Sequence, residues 1–353
     1  MDFLLQTIFA TNYEEILMKL KYASIAAIAA SVVSPTVLAG DLKMPEVSYS
    51  GYIRVDGTLK NEEAANGTDT SSSDLKASKV SLTLDAEASE QVSGSATFEW
   101  GGDDADRVEV DEAIIVIKPK DTGLEFTLGK HAVPFGAFNS SFMTDSQGVV
   151  LAETKEHAVT AAYTVGMATI SGSIYNGEVQ ETGEDDDHID GLVARLDLAI
   201  NDDLSVGGSI ISSIADSGTL SGSDGVNGGT IQESVAGLSA NISYSFAKFQ
   251  LDAEYITALD KFQAGEMAFD GGNAYQPQVF TFEAKYDLGG DAYVAGRIET
   301  GEDGGEAIAE NTYGVIYTTP LLDYLTFQAE YQRTEYETNK EEDQLKLRIK
   351  YKF

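Results

Sequence analysis

The sequence contains no cysteine, only 6 prolines, and far fewer basic than acidic residues, with 23 Lys and Arg against 58 Asp and Glu. The absence of cysteine excludes disulfide scaffolds and thiolate metal sites. The net charge of −35 argues against nucleic-acid binding, because phosphate backbones are bound through Lys and Arg. Hydrophobic residues make up 42% of the chain, which is more than disordered proteins contain. The chain is therefore expected to fold without covalent cross-links.

Long apolar runs are absent after residue 40. The apolar stretch before it, 18–39 (MKLKYASIAAIAASVVSPTVLA), has a basic start, an Ala- and Ile-rich centre and a small-residue end, which predicts a cleaved secretory signal peptide. A transmembrane helix is the alternative, but the run is shorter than the roughly 20 residues needed. Residues 1–17 carry acidic side chains that do not fit a signal, and we interpret them as an over-extended gene start or a cloned extension. The fold is expected in 40–353 as a single domain.

Strict alternation of apolar and polar residues runs through the rest of the chain. The C-terminal stretch QLKLRIKYKF (344–353) is typical, and KVSLTLDAEA (79–88) and VFTFEAKYDL (279–288) repeat its period of two. Most such segments are about ten residues long, the length of a tilted membrane strand. Sixteen segments begin near residues 46, 76, 91, 107, 123, 156, 167, 189, 203, 231, 248, 277, 291, 310, 323 and 344.

The connections between these segments alternate between short and long. The predicted long connections are 60–75, 101–106, 130–155, 177–188, 214–230, 259–276, 300–309 and 335–343. A soluble sandwich has no reason to sort its loops by length, whereas outer-membrane barrels have short periplasmic turns and longer external loops. The sequence therefore predicts an all-β, transmembrane, antiparallel up-and-down barrel of about 16 strands. We expect it in the outer membrane of a Gram-negative bacterium, in contact with lipid and lipopolysaccharide.

The third long connection, 130–155, interrupts the alternation with aromatic residues among Gly, Ser and Asn. Sixteen strands enclose a water-filled lumen, and irregular backbone is tolerated at membrane depth where it lines such a cavity. We therefore predict an infolded loop that narrows a pore; the alternative is a loop that caps the barrel mouth. The predicted constriction and solute-facing residues are Lys130, His131, Pro134, Phe135, Phe138, Asn139, Phe142, Asp145 and Gln147.

The polar faces of the strands carry charges of both signs. The predicted lumen charges are Arg54, Arg195, Glu283, Lys285, Arg297, Glu330, Lys346 and Arg348. Rings of charge set ion preference in a pore. The overall acidity predicts a mild cation preference in an open pore, unless the basic residues gather at the constriction.

Four phrases of the chain, VDEAIIVI (110–117), LGKHAVPFGAF (128–138), TDSQGVVLAET (144–154) and SIYNGE (173–178), resemble the LbtU-like siderophore porins of gamma-proteobacteria. The family-motif residues outside the predicted constriction set are Asp111, Glu112, Gly129, Gly136, Glu153 and Thr154. The match is strongest over 107–180, and Ala152 stands where Gly is expected. The resemblance implies an outer-membrane barrel that takes up a ferric siderophore without a plug domain. The Gly-Lys-x-x-x-Pro-Phe-Gly phrase is shared with other substrate-selective porins, so the resemblance supports that class.

Catalytic and metal chemistry have little support. The three histidines, His131, His157 and His188, have no partners at triad or ligand spacing, so no enzyme activity and no cofactor are expected. The acidic stretch 183–190 (GEDDDHID) is expected to be a solvated loop, with Ca²⁺ or Mg²⁺ binding at external acidic loops as the alternative. We consider three functions: a substrate-selective porin, a general diffusion porin, and a surface adhesin or structural barrel. A homotrimer is the common assembly for this strand number.

Overall fold

The computed structural model describes residues 45–101, 107–183, 188–222, 225–226, 229–268 and 272–353. The predicted N-terminal extension (1–17) and signal peptide (18–39) lie outside the described residues, as does part of the acidic stretch 183–190. Residues Pro45–Phe353 form one compact unit.

Sixteen antiparallel strands close into a barrel, each paired with its neighbours in chain order, and the first strand pairs with the last. They are β1 (Glu46–Glu63), β2 (Asp69–Ser89), β3 (Val92–Gly101), β4 (Val108–Ile117), β5 (Leu124–Ala132), β6 (Lys155–Val165), β7 (Ala168–Tyr175), β9 (Gly191–Ala199), β10 (Leu204–Ile211), β12 (Gly237–Phe246), β13 (Phe249–Ala258), β14 (Gln278–Gly289), β15 (Ala292–Glu302), β16 (Asn311–Leu322), β17 (Leu325–Glu335) and β18 (Glu341–Lys352). The predicted fold class and strand number are confirmed.

Two-residue strands β8 (Gln180–Glu181) and β11 (Thr230–Ile231) pair in parallel outside the barrel. A short helix, α1 (Gln147–Ala152), follows Ser146, whose hydroxyl accepts a hydrogen bond from Val149 N as an N-cap. Among the described residues, no helix has the length and apolar character needed to cross a bilayer.

Two predicted connections and one predicted strand start differ from the structure. The first predicted connection, 60–75, is wrong because β1 and β2 remain paired up to Glu63 and Asp69. The first residues of β2 are polar, so they show no alternation of apolar and polar side chains. The last, 335–343, contracts to 336–340 for the same reason. The start predicted near 231 is also wrong, because that residue belongs to β11 and the barrel strand begins at Gly237.

The two faces of each barrel strand differ in the manner of a membrane barrel. On β15 the outward Ile298 is 49% exposed, while its inward neighbours Arg297 and Glu299 are each 1% exposed. The same alternation on β16 exposes Tyr313 and Tyr317. A closed barrel with an apolar outer surface buries its polar groups inside, which is the arrangement that a lipid environment requires.

The hydrophobic core lies mainly among the long connections. We call the connections 176–190, 212–236, 259–277 and 303–310 the loop roof. One cluster of buried side chains joins this roof to the 133–154 connection. Its members include Val133, Phe135, Leu151, Val179, Ile214, Leu220, Ile231, Phe262, Met267 and Ile308. The described parts of these connections lie at the same end of the barrel. When the sixteen barrel strands alone are counted in chain order, each connection leads from a strand at an odd position to one at an even position.

Candidate functional site in the barrel lumen

The connection between β5 and β6, residues 133–154, is hereafter the constriction segment. Its two ends are held together, since Val133 N donates to Thr154 O at 2.9 Å. It then meets the inner wall at β9 and β10: Gly136 N donates to Ser209 Oγ at 3.0 Å, and Arg195 Nη1 donates to Gly136 O at 2.7 Å. The segment therefore runs along the inside of the barrel wall.

A row of wall carboxylates holds the middle of the segment. Glu254 on β13 accepts from Ala137 N at 2.7 Å and from Phe138 N at 2.9 Å. Glu283 on β14 accepts from Ser141 N at 2.7 Å and from Ser140 Oγ at 2.9 Å. An irregular segment has no strand partner for its N–H groups, and each buried donor needs an acceptor. Charged acceptors make the stronger hydrogen bonds.

The row continues on two further strands. Glu330 on β17 accepts from Met143 N at 2.5 Å, and Glu299 on β15 accepts from Gln147 N at 2.8 Å. We call Glu254, Glu283, Glu299 and Glu330 the carboxylate row. Since it spans β13 to β17, the segment is fixed across about a third of the barrel wall.

Arg297 lies among these carboxylates and supports the segment from below. It forms a buried ion pair with Glu299 at 3.1 Å, donates to Thr144 O at 3.0 Å, and places its guanidinium 4.4 Å from the centre of the Phe142 ring. Lys346 on β18 donates to Thr144 Oγ1 at 3.0 Å. The wall thus supplies acceptors for the amides of the segment and donors for its carbonyl and hydroxyl oxygens.

A tight bend at Gly136 begins this path. Gly136 has φ of 78°, a region that favours glycine. The ring of Phe138 occupies the space where a Cβ at residue 136 would stand, with its Cζ 2.3 Å away. Phe138 itself has φ of 52°. The Gly-x-Phe spacing of the motif is therefore a requirement of local packing.

The predicted solute-facing residues separate into accessible and inaccessible groups. Asn139 and Asp145 are exposed, and Phe142 is partly exposed. Phe135 is 1% exposed and belongs to the buried cluster that joins the segment to the roof. Gln147 is 9% exposed, and its Oε1 accepts from Ala309 N at 3.0 Å. Pro134 and Phe138 are half-buried.

Two residues predicted at the constriction belong to the wall instead. Lys130 is paired with Ala113 on β4, and both side chains point to the outside of the barrel. The Lys130 amine donates to Val110 O at 3.1 Å. It therefore does not face the lumen, because each strand residue points to the side opposite its neighbour. His131 points inward, 8% exposed, and its ring nitrogens contact Gly129 O at 3.0 Å and Thr160 Oγ1 at 2.7 Å.

The family-motif residues lie where the segment leaves and rejoins the wall. Asp111 accepts from Lys155 at 2.7 Å. A Cβ at Gly129, whose φ is 125°, would stand 2.0 Å from Ala113 O. Glu153 ends α1, and burial raises the pKa of its carboxyl. Thr154 is 1% exposed and Gly136 forms the bend described above. Glu112 is half-buried on β4.

The loop roof carries its own buried acid. Asp216 is 2% exposed, accepts from Tyr175 Oη at 3.1 Å and from Val179 N at 3.1 Å. Burial raises the pKa of Asp216 to about 6, and the nearby Asp190 adds to the shift. The roof is therefore a packed structure and not a set of independent loops.

The inner face of β18 and β1 has a different character. We call Arg54, Lys346, Arg348, Lys350 and Lys352 the basic seam. Arg348 forms a two-pronged pair with Asp56, both at 2.7 Å. Arg54 lies opposite Lys350 in the register, and both are half-buried. No part of the constriction segment other than Thr144 has a hydrogen bond to this seam among the described residues.

Of the predicted lumen charges, five hold the constriction segment: Arg195, Glu283, Arg297, Glu330 and Lys346. Lys285 lies beside the ring of Tyr293, 5.9 Å from its centre. Sequence reasoning did not select Glu299 and Tyr293, whose hydroxyl donates to Ser141 O at 2.8 Å. Both residues stand at inward-facing positions of an alternating strand, and this pattern could have identified them.

The barrel mouth is acidic on the side of the seam. A cavity of about 460 Å³ opens there, lined by Asn61, Glu62, Glu63, Asp69, Thr70, Ser71, Arg333, Glu341 and Asp343. Across the described ranges, no group of three or more His, Cys, Asp or Glu residues is placed to hold a metal ion.

No family model matches the chain. The UPF0422 protein of Coxiella burnetii is 24% identical over 304 residues, which cover 82% of this chain and 64% of that protein. The chain thus spans less than two thirds of the length of this curated relative.

Solved structures show a clearer likeness. The outer membrane channel DcaP of Acinetobacter baumannii has a TM-score of 0.63 at 12% identity, covering 90% of this chain and 100% of the other. An anion-selective porin from Comamonas acidovorans has 0.63 at 13%, covering 87% and 100%. OmpF of Salmonella typhi has 0.62 at 10%, covering 88% and 98%. At these identities the likeness establishes the fold alone: the chain has the sixteen-stranded barrel fold of outer-membrane porins.

Proposed function

We propose that the protein is an outer-membrane porin of a Gram-negative bacterium, through which small hydrophilic solutes diffuse passively. The observation that carries this proposal is the constriction segment, fixed by wall side chains inside a closed barrel whose outer surface is apolar. Such an arrangement is expected of a segment that narrows a water-filled passage. No catalytic step is expected, and lipid and lipopolysaccharide are its expected surroundings.

The charge distribution supports a preference for anions. The carboxylate row is occupied by the amides of the constriction segment, whereas the basic seam borders the side of the lumen that the segment leaves uncovered. A local field at the narrowest part governs ion preference more than the net charge does. We therefore infer an anion preference, in place of the cation preference that the net charge of −35 suggests.

Two solute classes are candidates for passage through the proposed channel. The resemblance to LbtU-like siderophore porins favours a ferric siderophore, and a basic wall suits an anionic complex of that kind. A general diffusion porin is the second candidate, favoured because the seam is a continuous strip and not a closed pocket. Homotrimer formation and divalent-cation binding at the external loops stay predictions.

Single-channel recording in planar bilayers tests these proposals. The purified protein is expected to conduct, and its reversal potential in a KCl gradient is expected to have the sign of chloride selectivity. A ferric catecholate siderophore should block the current in a concentration-dependent manner, maltose should not, and deletion of 137–147 should abolish the block. A steady current that neither solute changes would reject the siderophore-selective porin and support the general diffusion porin. Absence of any conductance would favour an adhesin or structural barrel.

A further inference from the structure

Three neighbouring strands carry cations side by side on the inner wall. Arg54 on β1 lies opposite Lys79 on β2 and opposite Lys350 on β18. Positive charges at directly opposed positions repel each other. Whether a carboxylate neutralises each cation therefore decides whether this part of the wall can bind an anion.

The nearby carboxylates are already occupied. Glu99 pairs with Lys79 at 2.6 Å and also accepts from Tyr52 Oη at 3.2 Å. Asp56 receives both prongs of Arg348. Neither carboxylate is free to neutralise a further cation by direct contact.

Arg54 and Lys350 remain without an anionic partner. Within the part of the chain that the structure describes, neither residue forms an ion pair, and Arg54 Nε is buried without a hydrogen-bond acceptor. Both cations instead lie against the Tyr52 ring, with the Arg54 guanidinium 5.5 Å and the Lys350 amine 4.1 Å from its centre. A ring contact of this kind compensates a charge less completely than a carboxylate does.

We infer that Arg54, Lys350 and Tyr52 form a binding site for an oxyanion group, a carboxylate or a phosphate, of a solute in transit. The planar guanidinium of Arg54 offers paired donors that match the oxygens of such a group. Lys350 contributes a second charge, and Tyr52 fixes the position of both. The site rests on the proposed channel function and adds a specific binding step to it.

The site is separate from the constriction. The constriction segment reaches β18 at Lys346, through Thr144. Lys350 is four residues further along this strand, about 13 Å at the usual strand rise. An anion that has passed the segment would therefore meet this site next, toward the end of the barrel where the chain terminates.

The test compares two double variants in planar bilayers, with inorganic phosphate as the probe of chloride current. R54Q/K350Q removes the site. K118Q/K120Q is the matched control, because it removes two positive charges from the exposed turn 118–123. We expect phosphate to inhibit the current of the wild type and the control alike. In R54Q/K350Q the half-inhibiting concentration should rise by about tenfold, the effect of roughly 1.4 kcal/mol of lost attraction.

Equal phosphate inhibition in R54Q/K350Q and the control would overturn the inference while leaving the channel function intact. If the wild type does not conduct, the proposed function fails, and binding is then measured directly from the ³¹P line width of phosphate with detergent-solubilised protein. Line broadening by the wild type and control, lost in R54Q/K350Q, would support the site even then; equal broadening by all three would overturn it. Retention of the heat-modifiable gel shift in every variant establishes that the barrels are folded.

Discussion

The two sides of the lumen wall use the same kinds of residue for different purposes. From β13 to β17, acidic and basic side chains lie beneath the constriction segment, where Glu283, Arg297 and Glu330 are each 1% exposed. Along β18 and β1, side chains such as Arg54 and Lys350 are half-buried, and among the described residues no hydrogen bond joins these two to the constriction segment. The difference shows that a charge in this barrel becomes structural when irregular backbone covers it or an opposite charge pairs with it, as in Arg348–Asp56, and stays unpaired when neither is present.

Substitutions on the covered side are also expected to lower the free energy of unfolding more than substitutions on the open side. Removing one member of a buried pair leaves the other charge without compensation, which destabilises strongly. On the open side Lys352 is exposed, so water screens its charge and we expect its loss to have little effect on folding. The buried Arg348–Asp56 pair is the exception on that side. Three variants test this contrast, in order of expected effect.

Replacement of Arg297 by Ala should have the largest effect. The change strands Glu299 in a buried site and removes the donor to Thr144 O; we expect a loss of about 3–5 kcal/mol in the free energy of unfolding. Urea unfolding in detergent micelles provides the measurement. Lys352→Ala is the matched control from the open side, because Lys352 is an exposed member of the basic seam; its expected change is within about 0.5 kcal/mol. Equal losses in the two variants would remove the distinction between the two sides.

The loop roof packs against the constriction segment, and its buried Asp216 should make the stability of this region sensitive to pH. Its folded-state pKa of about 6 lies above the ordinary value of 3.8, so the folded protein binds this proton more tightly than the unfolded chain. Its contribution to stability is therefore full below about pH 4 and is lost as pH rises through about 6, by up to roughly 3 kcal/mol.

Asp216→Asn is expected to flatten the dependence of the unfolding free energy between pH 4 and pH 7. The control is Asp260→Asn, which alters an exposed acid of the same loop roof. A wild-type profile that does not fall across this range, or one that Asp260→Asn flattens as much, would contradict the assignment to Asp216.

Gly136→Ala should have the smallest effect of the three. The new methyl group would overlap the Phe138 ring at a backbone conformation with φ of 78°, and we expect a loss of about 1–3 kcal/mol. Because the bend directs the segment into the lumen, single-channel conductance should also become more variable. Gly57→Ala on β1 is the control, since its added Cβ would meet no atom closer than 3.8 Å. Unchanged conductance and stability in Gly136→Ala would show that the bend tolerates a side chain.

The fold was accessible from the sequence because alternation has a direct physical cause. Each barrel strand separates lipid from lumen, so apolar and polar residues must follow one another, as in 344–353. The prediction failed where that cause is absent. The start of β2 is polar on both faces, and β11 near residue 231 pairs outside the barrel. Neither feature leaves a period-two pattern.

The residues of the candidate site could be predicted only in part from the sequence. The aromatic, irregular composition of 130–155 marked the segment, and alternation identified inward charges such as Glu283 and Arg297. Their partners could not be predicted, because these contacts join residues more than a hundred positions apart, as between Ser141 and Glu283. The outward position of Lys130 and the burial of Phe135 likewise depend on which neighbours surround them.

The sequence by itself determined the barrel, the strand number and the presence of one exceptional connection, because each follows from local periodicity and chain order. Only the tertiary structure decided which charges the constriction segment covers and which remain on the basic seam. Closure of β1 on β18 brings Arg54 beside Lys350, and the fold of the segment leaves that pair uncovered. The physical reason is that burial and charge pairing are properties of the assembled wall and not of any one strand.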